Sequence, residues 1–340
     1  MSATFESSGF GAAPSRRRFV GMLGAAAAAP LLPARAQGTK HLMRIAHVLT
    51  EADNVHRALV KFKEAAEKKT GGQLEVQIYS NSALGNLRVT FESIRLGNLE
   101  AGVWDAGTPS TVVPAWAVPE LPYIFRDLAH VHSVIDGPIG QELGKALIDK
   151  AKVRSLVIYD TTFRKIFTRP KAINSLADLK GLKVRVPEVP SYVRCMQLLG
   201  ANPTPIPWGD LYTSLETGVV QGFENKCEAA FNAKLHEQTK FAAYTGHIFV
   251  INPLLVGENW FSGLPKPIQQ AALDAAAESL TWQRAEAPVS EKLFEQKMKD
   301  AGVTFTSPDT APFRAAVAPY YKEHGDKFGT ADLIRRVQAG

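Results

Sequence analysis

The sequence predicts an α/β protein of two domains that share connecting strands, and three observations carry that prediction. Short apolar runs alternate with helical periodicities along most of the chain. A length of 340 residues suits about two domains with a sizeable core. Beyond residue 36 there is no repeat, low-complexity run or long flexible linker. Two domains must therefore be joined by strands that pass from one to the other, an arrangement suited to hinge motion. With 45% hydrophobic and 21% charged residues, the composition is that of an ordinary globular protein. It excludes a disordered tail, a collagen-like repeat and a polytopic membrane protein.

Residues 1–36 read as an address. Ser15-Arg16-Arg17-Arg18 precedes an Ala-rich apolar run from Val20 to Leu32, and Ala34-Arg35-Ala36 fits a small-x-small cleavage site. The run is shorter than the ~20 residues a spanning helix needs, and Pro30 and Pro33 break its end. The paired arginines resemble a twin-arginine (Tat) export signal, with the general secretory route as the alternative. Either gives a chain that starts near Gln37 in the periplasm. The net charge of +6 loses four arginines and one acid with the leader, leaving +3. So mild a charge, with no basic block interleaved with aromatics, makes nucleic acid an unsuitable partner.

The remaining elements follow in order. His41–Leu49 is a short apolar run and reads as a strand. Val55–Lys69 carries Val55, Leu59, Phe62 and Ala66 at helical spacing and is stopped by Thr70-Gly71-Gly72. Leu74–Tyr79 alternates as a strand; a helix after Asn81–Gly85 runs to Leu96; Glu100–Asp105 is a third strand. This βαβαβ opening indicates a mostly parallel sheet. Prolines 109, 114, 119 and 122 make the next stretch irregular. One helix is predicted over Ala129–Lys150, then strands at Leu156–Tyr159, Arg164–Thr168 and Lys183–Val186, the last after a helical turn at Asp178–Leu182. Helices are predicted over Tyr192–Leu199, Trp208–Thr217 and Lys226–Leu235, with Val219–Glu224 leading into the last of these. Phe241–Ile251 is largely strand, and Pro265–Ala301 is a long helix broken or kinked at Pro288.

Enzyme signatures are missing from the sequence: there is no HExxH, GxSxG, GxGxxG or GxxxxGK[ST], and no nucleophile stands beside a base. His130 and His132 beside Asp127 suit a solvated helix start better than a metal. Cys195 and Cys227 lack CxxC spacing and read as two buried free thiols, although an oxidising compartment would permit a disulfide. No cofactor and no metal are expected.

The informative stretch is 159–236. It holds Tyr159-Asp-Thr-Thr-Phe-Arg164, Asp178-Leu-Lys-Gly-Leu-Lys-Val-Arg185-Val-Pro187, Gly200-Ala-Asn-Pro-Thr-Pro-Ile-Pro-Trp208-Gly-Asp210-Leu-Tyr212 and Leu215-Glu-Thr-Gly-Val-Val-Gln-Gly-Phe-Glu-Asn225. These segments, with Asn81-Ser-Ala-Leu-Gly85, Arg95-Leu-Gly97 and Leu121-Pro-Tyr-Ile-Phe125, resemble the solute-binding receptors of TRAP transporters, the DctP-like family. The resemblance runs collinearly through residues 40–330. It implies a two-domain periplasmic-binding-protein (Venus-flytrap) fold with hinge strands and a long helix spanning both domains. The expected division is 37–160 plus 251–290 for domain I and 161–250 plus 291–340 for domain II. The implied role is capture of a small organic acid and its delivery to the small and large TRAP membrane subunits, by a monomer not itself embedded in the membrane.

The resemblance marks Arg185 as the main carboxylate binder. A guanidinium held at a strand end can form two parallel bonds to a carboxylate. Arg164 corresponds to a second family arginine, with Arg169 as its competitor if the local alignment slips. Asn225 can donate and accept, or cap the helix that follows. Trp208 offers an aromatic face to ligand C–H groups, or packs in the core. Asp105 is expected to face the cleft from the other domain and Glu188 to sit beside the ligand, unless either is a solvated charge; Asp210 and Tyr212 brace the cleft. Gln221 and Lys226 stand where many relatives have Asp and Pro. Two acids in the cleft favour a hydroxylated sugar acid, a uronate or aldonate. A C4-dicarboxylate or other monocarboxylate, a ligand-presenting sensor protein and an enzyme acting on organic acids are the alternatives.

Overall fold

Two sheets organise the chain, and residues pass from the first to the second and back. The computed structural model describes residues 39–340; the expected leader, with Arg16, Arg17 and the Ala34-Arg35-Ala36 site, lies outside the described residues. The chain opens with β1 (His41–Ala46), α1 (Asn54–Lys69), β2 (Leu74–Tyr79), α2 (Leu87–Arg95), β3 (Ala101–Val103), α3 (Gly107–Ser110), α4 (Leu128–Ile135) and α5 (Pro138–Ala151). It continues with β4 (Val153–Phe163), β5 (Lys165–Thr168), β6 (Lys183–Val186), α6 (Pro190–Leu198), β7 (Asn202–Pro205), α7 (Leu211–Glu216), β8 (Gly222–Asn225) and α8 (Cys227–Asn232). It ends with β9 (Phe241–Ala243), β10 (Phe249–Gly257), α9 (Glu258–Gly263), α10 (Lys266–Asp300), β11 (Thr304–Thr306), α11 (Ala311–Val317), α12 (Pro319–Phe328) and α13 (Ala331–Ala339).

The first sheet has the order β2-β1-β3-β10-β4, the second β11-β9-β5-β8-β6-β7. The opening βαβαβ unit is parallel as expected, but β10 enters antiparallel between β3 and β4, so the sheet is mixed. Two strand pairs carry the chain between sheets. Only Arg164 separates β4 from β5, and β9 is followed within a few residues by β10. The two crossings are tied together: Phe249 pairs with Phe163, the Arg164 N–H donates to the Ile248 carbonyl at 2.8 Å, and the Gly246 N–H donates to the Arg164 carbonyl at 3.1 Å.

Each helix lies where its apolar stripe can be buried. Asp53 caps α1 by accepting from the Val55 N–H, and Val55, Leu59, Phe62 and Ala66 pack under β1 and β2. On the other face of the first sheet Trp104, Trp116 and Phe125 form a second core. Phe167 and Phe223, cross-strand neighbours on β5 and β8, stack at 4.8 Å within the second lobe. The long helix α10 serves both lobes. Its Ala272, Ala275 and Ala276 join the first-lobe core, and Phe294 and Met298 join that of the second. Helix α10 runs unbroken past Pro288. Pro288 is exposed, so its ring costs the helix one backbone hydrogen bond without intruding on the core.

Other elements depart from expectation for local reasons. The helix predicted over 129–150 is two, α4 and α5, because Pro138 has no N–H to continue α4 and instead starts α5. Trp208–Asp210 is a 3₁₀ turn before α7. Strand β7 reads Asn-Pro-Thr-Pro, a pattern tolerated because it lies at a sheet edge. Residues 291–340 do not stay with one lobe. Phe313 and Val317 pack with the second lobe, whereas Tyr320, Leu333, Ile334 and Val337 pack against the first-lobe core. Cys195 and Cys227 are free, buried in separate cores of the second lobe.

Candidate functional site

The ends of β1, β3, β6 and β8 and the two crossing strands converge on a cleft between the sheets, about 590 Å³ with the open solvent at its mouth included. Strand ends in α/β proteins and the gap between domains are where small ligands bind. Val48 and Leu49 follow β1, Trp104 and Asp105 follow β3, Thr161 and Arg164 come from the crossing, and Arg185, Pro187, Trp208, Asn225 and Lys226 come from the second lobe.

Arg185 is the third residue of β6, an interior strand between β7 and β8, so its backbone is fixed on both sides. Its Nε donates to the Ile206 carbonyl at 2.7 Å and its guanidinium lies 5.6 Å from the centre of the Trp208 ring. The residue is 3% exposed. Burial lowers its pKa to about 10, which leaves it cationic at neutral pH. Among the described residues no carboxylate forms an ion pair with it, and neither Nη atom has a hydrogen-bond partner in the protein. A buried fork with two unused donor arms is suited to a bidentate carboxylate.

Arg164 also lines the cavity, in a different state. Its Nε and Nη2 are bonded to the Glu224 carboxylate, and Nη2 also donates to the Glu224 carbonyl at 2.8 Å. Burial works against its charge, but Glu224 more than offsets this and raises the pKa. Its charge is thus already matched, and it serves to hold the crossing against β8. Arg169 is not at the cavity; its Nη1 donates to the Leu215 carbonyl at 2.9 Å.

Asp105 faces the same cavity from the first lobe. One carboxylate oxygen accepts from the Thr108 N–H and hydroxyl, both at 2.8 Å. Burial raises its pKa, and the Thr108 bonds and the nearby arginines oppose that rise. Behind it Glu120 is fully buried, and burial together with the Asp105 charge pushes its carboxyl well above the ordinary range. Asn225 ends β8 and its Oδ1 accepts from the Lys226 N–H at 2.8 Å. It is not the helix cap, a position taken by Lys226.

Trp208 is half-buried and borders the cavity with Arg185. Glu188 is exposed and lines an adjoining second cavity that Arg185 also borders, near enough for its charge to act on the Arg185 guanidinium. Asp210 is exposed and outside the cavity, and the Tyr212 hydroxyl donates to Glu237 at 2.8 Å.

In the sequence Lys226 stands out only as a departure from relatives. It is buried at the cavity wall, its Nζ 3.0 Å from Asp53 Oδ1 and 3.2 Å from Glu228 Oε2. Burial opposes its charge, and the two carboxylates raise its pKa despite that. It therefore ties the second lobe to the N-cap of α1. Its adjacency to Asn225 is the only local signal, since a partner 173 positions away cannot be read from sequence. Among the described residues no three His, Cys, Asp or Glu side chains are grouped to hold a metal ion. His130 Nε2 meets the Val337 carbonyl and His132 the Asp160 carboxylate.

Residues 45–327 match the model of the bacterial extracellular solute-binding protein family 7, DctP. The chain is 30% identical over 300 residues to the 2,3-diketo-L-gulonate-binding periplasmic protein YiaO of Escherichia coli, covering 87% of this chain and 90% of that one. It is 30% identical over 332 residues to the C4-dicarboxylate-binding periplasmic protein DctP of Rhodobacter capsulatus, covering 95% and 98%. Among solved structures, a TRAP periplasmic solute-binding protein from Xanthobacter autotrophicus with bound β-D-galacturonate superposes with a TM-score of 0.84 at 33% identity, covering 88% and 99%. No helix among the described residues is long and apolar enough to cross a membrane.

Proposed function

We propose, for a chain that belongs to the bacterial extracellular solute-binding protein family 7, that it captures a hydroxylated sugar acid in the periplasm. It delivers that acid as a monomer to the small and large membrane subunits of a TRAP transporter. The reading is of a receptor that binds and releases its ligand unchanged. The observation that carries the ligand class is the contrast between two buried arginines in one cavity. Arg164 is matched by Glu224, whereas the two Nη arms of Arg185 are unused. One unmatched guanidinium suits one carboxylate. Asp105 offers acceptor oxygens, which bind hydroxyl donors and repel a second ligand carboxylate. Trp208 then covers a C–H face of the sugar. The related proteins that bind galacturonate and 2,3-diketo-L-gulonate support this class; the C4-dicarboxylate relative supplies the competing one.

The test is a thermal-shift screen followed by calorimetry with galacturonate, glucuronate, galactonate, succinate and malate. A ligand at about a thousand times its Kd stabilises the fold by ~4 kcal/mol. Sugar acids are expected to bind more tightly than either dicarboxylate; succinate binding more tightly than every sugar acid would overturn the ligand class and keep the receptor. For export, the expected N-terminus is near Gln37, and replacing Arg16 and Arg17 by Lys blocks export by the twin-arginine route. Undiminished export of that variant assigns the general secretory route instead.

A further inference from the structure

The second cavity, with a volume of about 320 Å³, adjoins the first across four shared side chains: Leu87, Arg185, Pro187 and Trp208. Its walls come from both lobes. The second lobe supplies a mostly apolar wall that includes Pro190 and Pro207, and the start of α2 supplies Arg88. Arg88 and Glu188 are exposed charges of opposite sign in this cavity, and among the described residues neither has a hydrogen-bond or ion-pair partner. Their neighbour Glu92 differs, since it is already bonded to Arg95 at 2.8 Å. A monosaccharide acid held by Arg185 leaves this space and both charges unused.

We propose that the second cavity is a distal subsite that admits an acidic disaccharide, two uronic acid units joined by a glycosidic bond. This rests on the sugar-acid reading of the first cavity. The first unit places its carboxylate on Arg185, and the linkage passes Trp208 and Pro187, which face both cavities. The C–H groups of the second ring lie on the proline wall. Its carboxylate pairs with Arg88, and a ring hydroxyl donates to Glu188.

Calorimetry with galacturonate and with α-1,4-digalacturonate on the full exported chain tests this. The expected result is that digalacturonate binds at least as tightly as galacturonate. Arg88→Ala weakens digalacturonate about tenfold, the scale of one charge-assisted bond at a partly exposed site, and leaves galacturonate within about twofold. Glu188→Gln weakens digalacturonate alone by a smaller factor. Because Arg88 is exposed and bonds nothing among the described residues, its loss does not endanger folding. Galacturonate bound with digalacturonate more than about a hundredfold weaker would overturn the subsite and leave the sugar-acid reading standing. So would an equal loss for both ligands in Arg88→Ala. Binding of neither overturns the sugar-acid reading itself.

Discussion

In the proposed clamp, ligand binding rests on Arg185 more than on any other side chain. Replacing it with Ala removes a buried fork from a site already organised around it. The expected cost is ~3–5 kcal/mol of binding free energy, two to four decades in Kd, read by calorimetry. Arg185→Lys is expected to fail as well, because an ammonium cannot supply two parallel bonds to one carboxylate. Retained wild-type affinity in the Lys variant would remove Arg185 from the clamp. At this scale legibility is uneven for a physical reason. Arg185, Asn225 and Trp208 stand at strand ends or turns whose local sequence announces them. Whether an arginine is free or spent depends on its partners. Arg164 looks equivalent to Arg185 in sequence, but Glu224, 60 positions away, takes up its charge.

At the scale of elements, three helices from separate parts of the chain meet in one buried polar cluster. Asp53 caps α1, Lys226 stands at the start of α8, and Glu228 accepts from the Asn54 N–H at 2.9 Å and from the Ser290 hydroxyl of α10 at 2.6 Å. Lys226→Ala leaves Asp53 and Glu228 facing each other without their shared cation. The expected loss of stability is ~3–5 kcal/mol, measured by urea unfolding without ligand. A loss below ~1 kcal/mol would mean that the cluster is not what holds these helices together. Elements with a strong period, such as α1, β2 and most of α10, are legible from the spacing of their apolar residues alone. Those that the spacing does not reveal, β7, β11 and the three C-terminal helices, are short, or proline-bearing, or take their form from where they dock. Strand β7 is a strand because β6 offers it an edge, not because Asn-Pro-Thr-Pro favours extension.

At the scale of the whole molecule, stability is expected to follow pH and shape to follow ligand. His47 is buried, and burial lowers its pKa from 6.5 to about 3. The folded chain therefore resists a proton that the unfolded chain accepts. Stability from this group is complete above about pH 6.5 and drains by roughly 1.4 kcal/mol per pH unit on the way down. Asp53 works in the opposite sense: burial raises its pKa from 3.8 to about 6, so the folded chain binds its proton first and gains stability as pH falls through that window. Comparing urea midpoints of wild type and His47→Gln between pH 7 and 4 isolates the histidine. The variant is expected to show the flatter loss on acidification, and parallel profiles would exclude His47. Ligand that touches Asp105 on one lobe and Arg185 on the other favours the closed arrangement. Small-angle scattering is expected to show compaction on saturation; an unchanged radius with binding confirmed would count against closure. The interleaving of the two lobes also sets an order on biosynthesis. Strand β10 sits in the interior of the first sheet, between β3 and β4, yet it is made only after the whole stretch from β5 to β9. A chain emerging from the ribosome thus holds β3 and β4 with open edges while about 85 further residues are synthesised. The nascent first lobe cannot close on itself, so a chain cut before Phe249 is expected to aggregate through those edges rather than fold as a half-receptor.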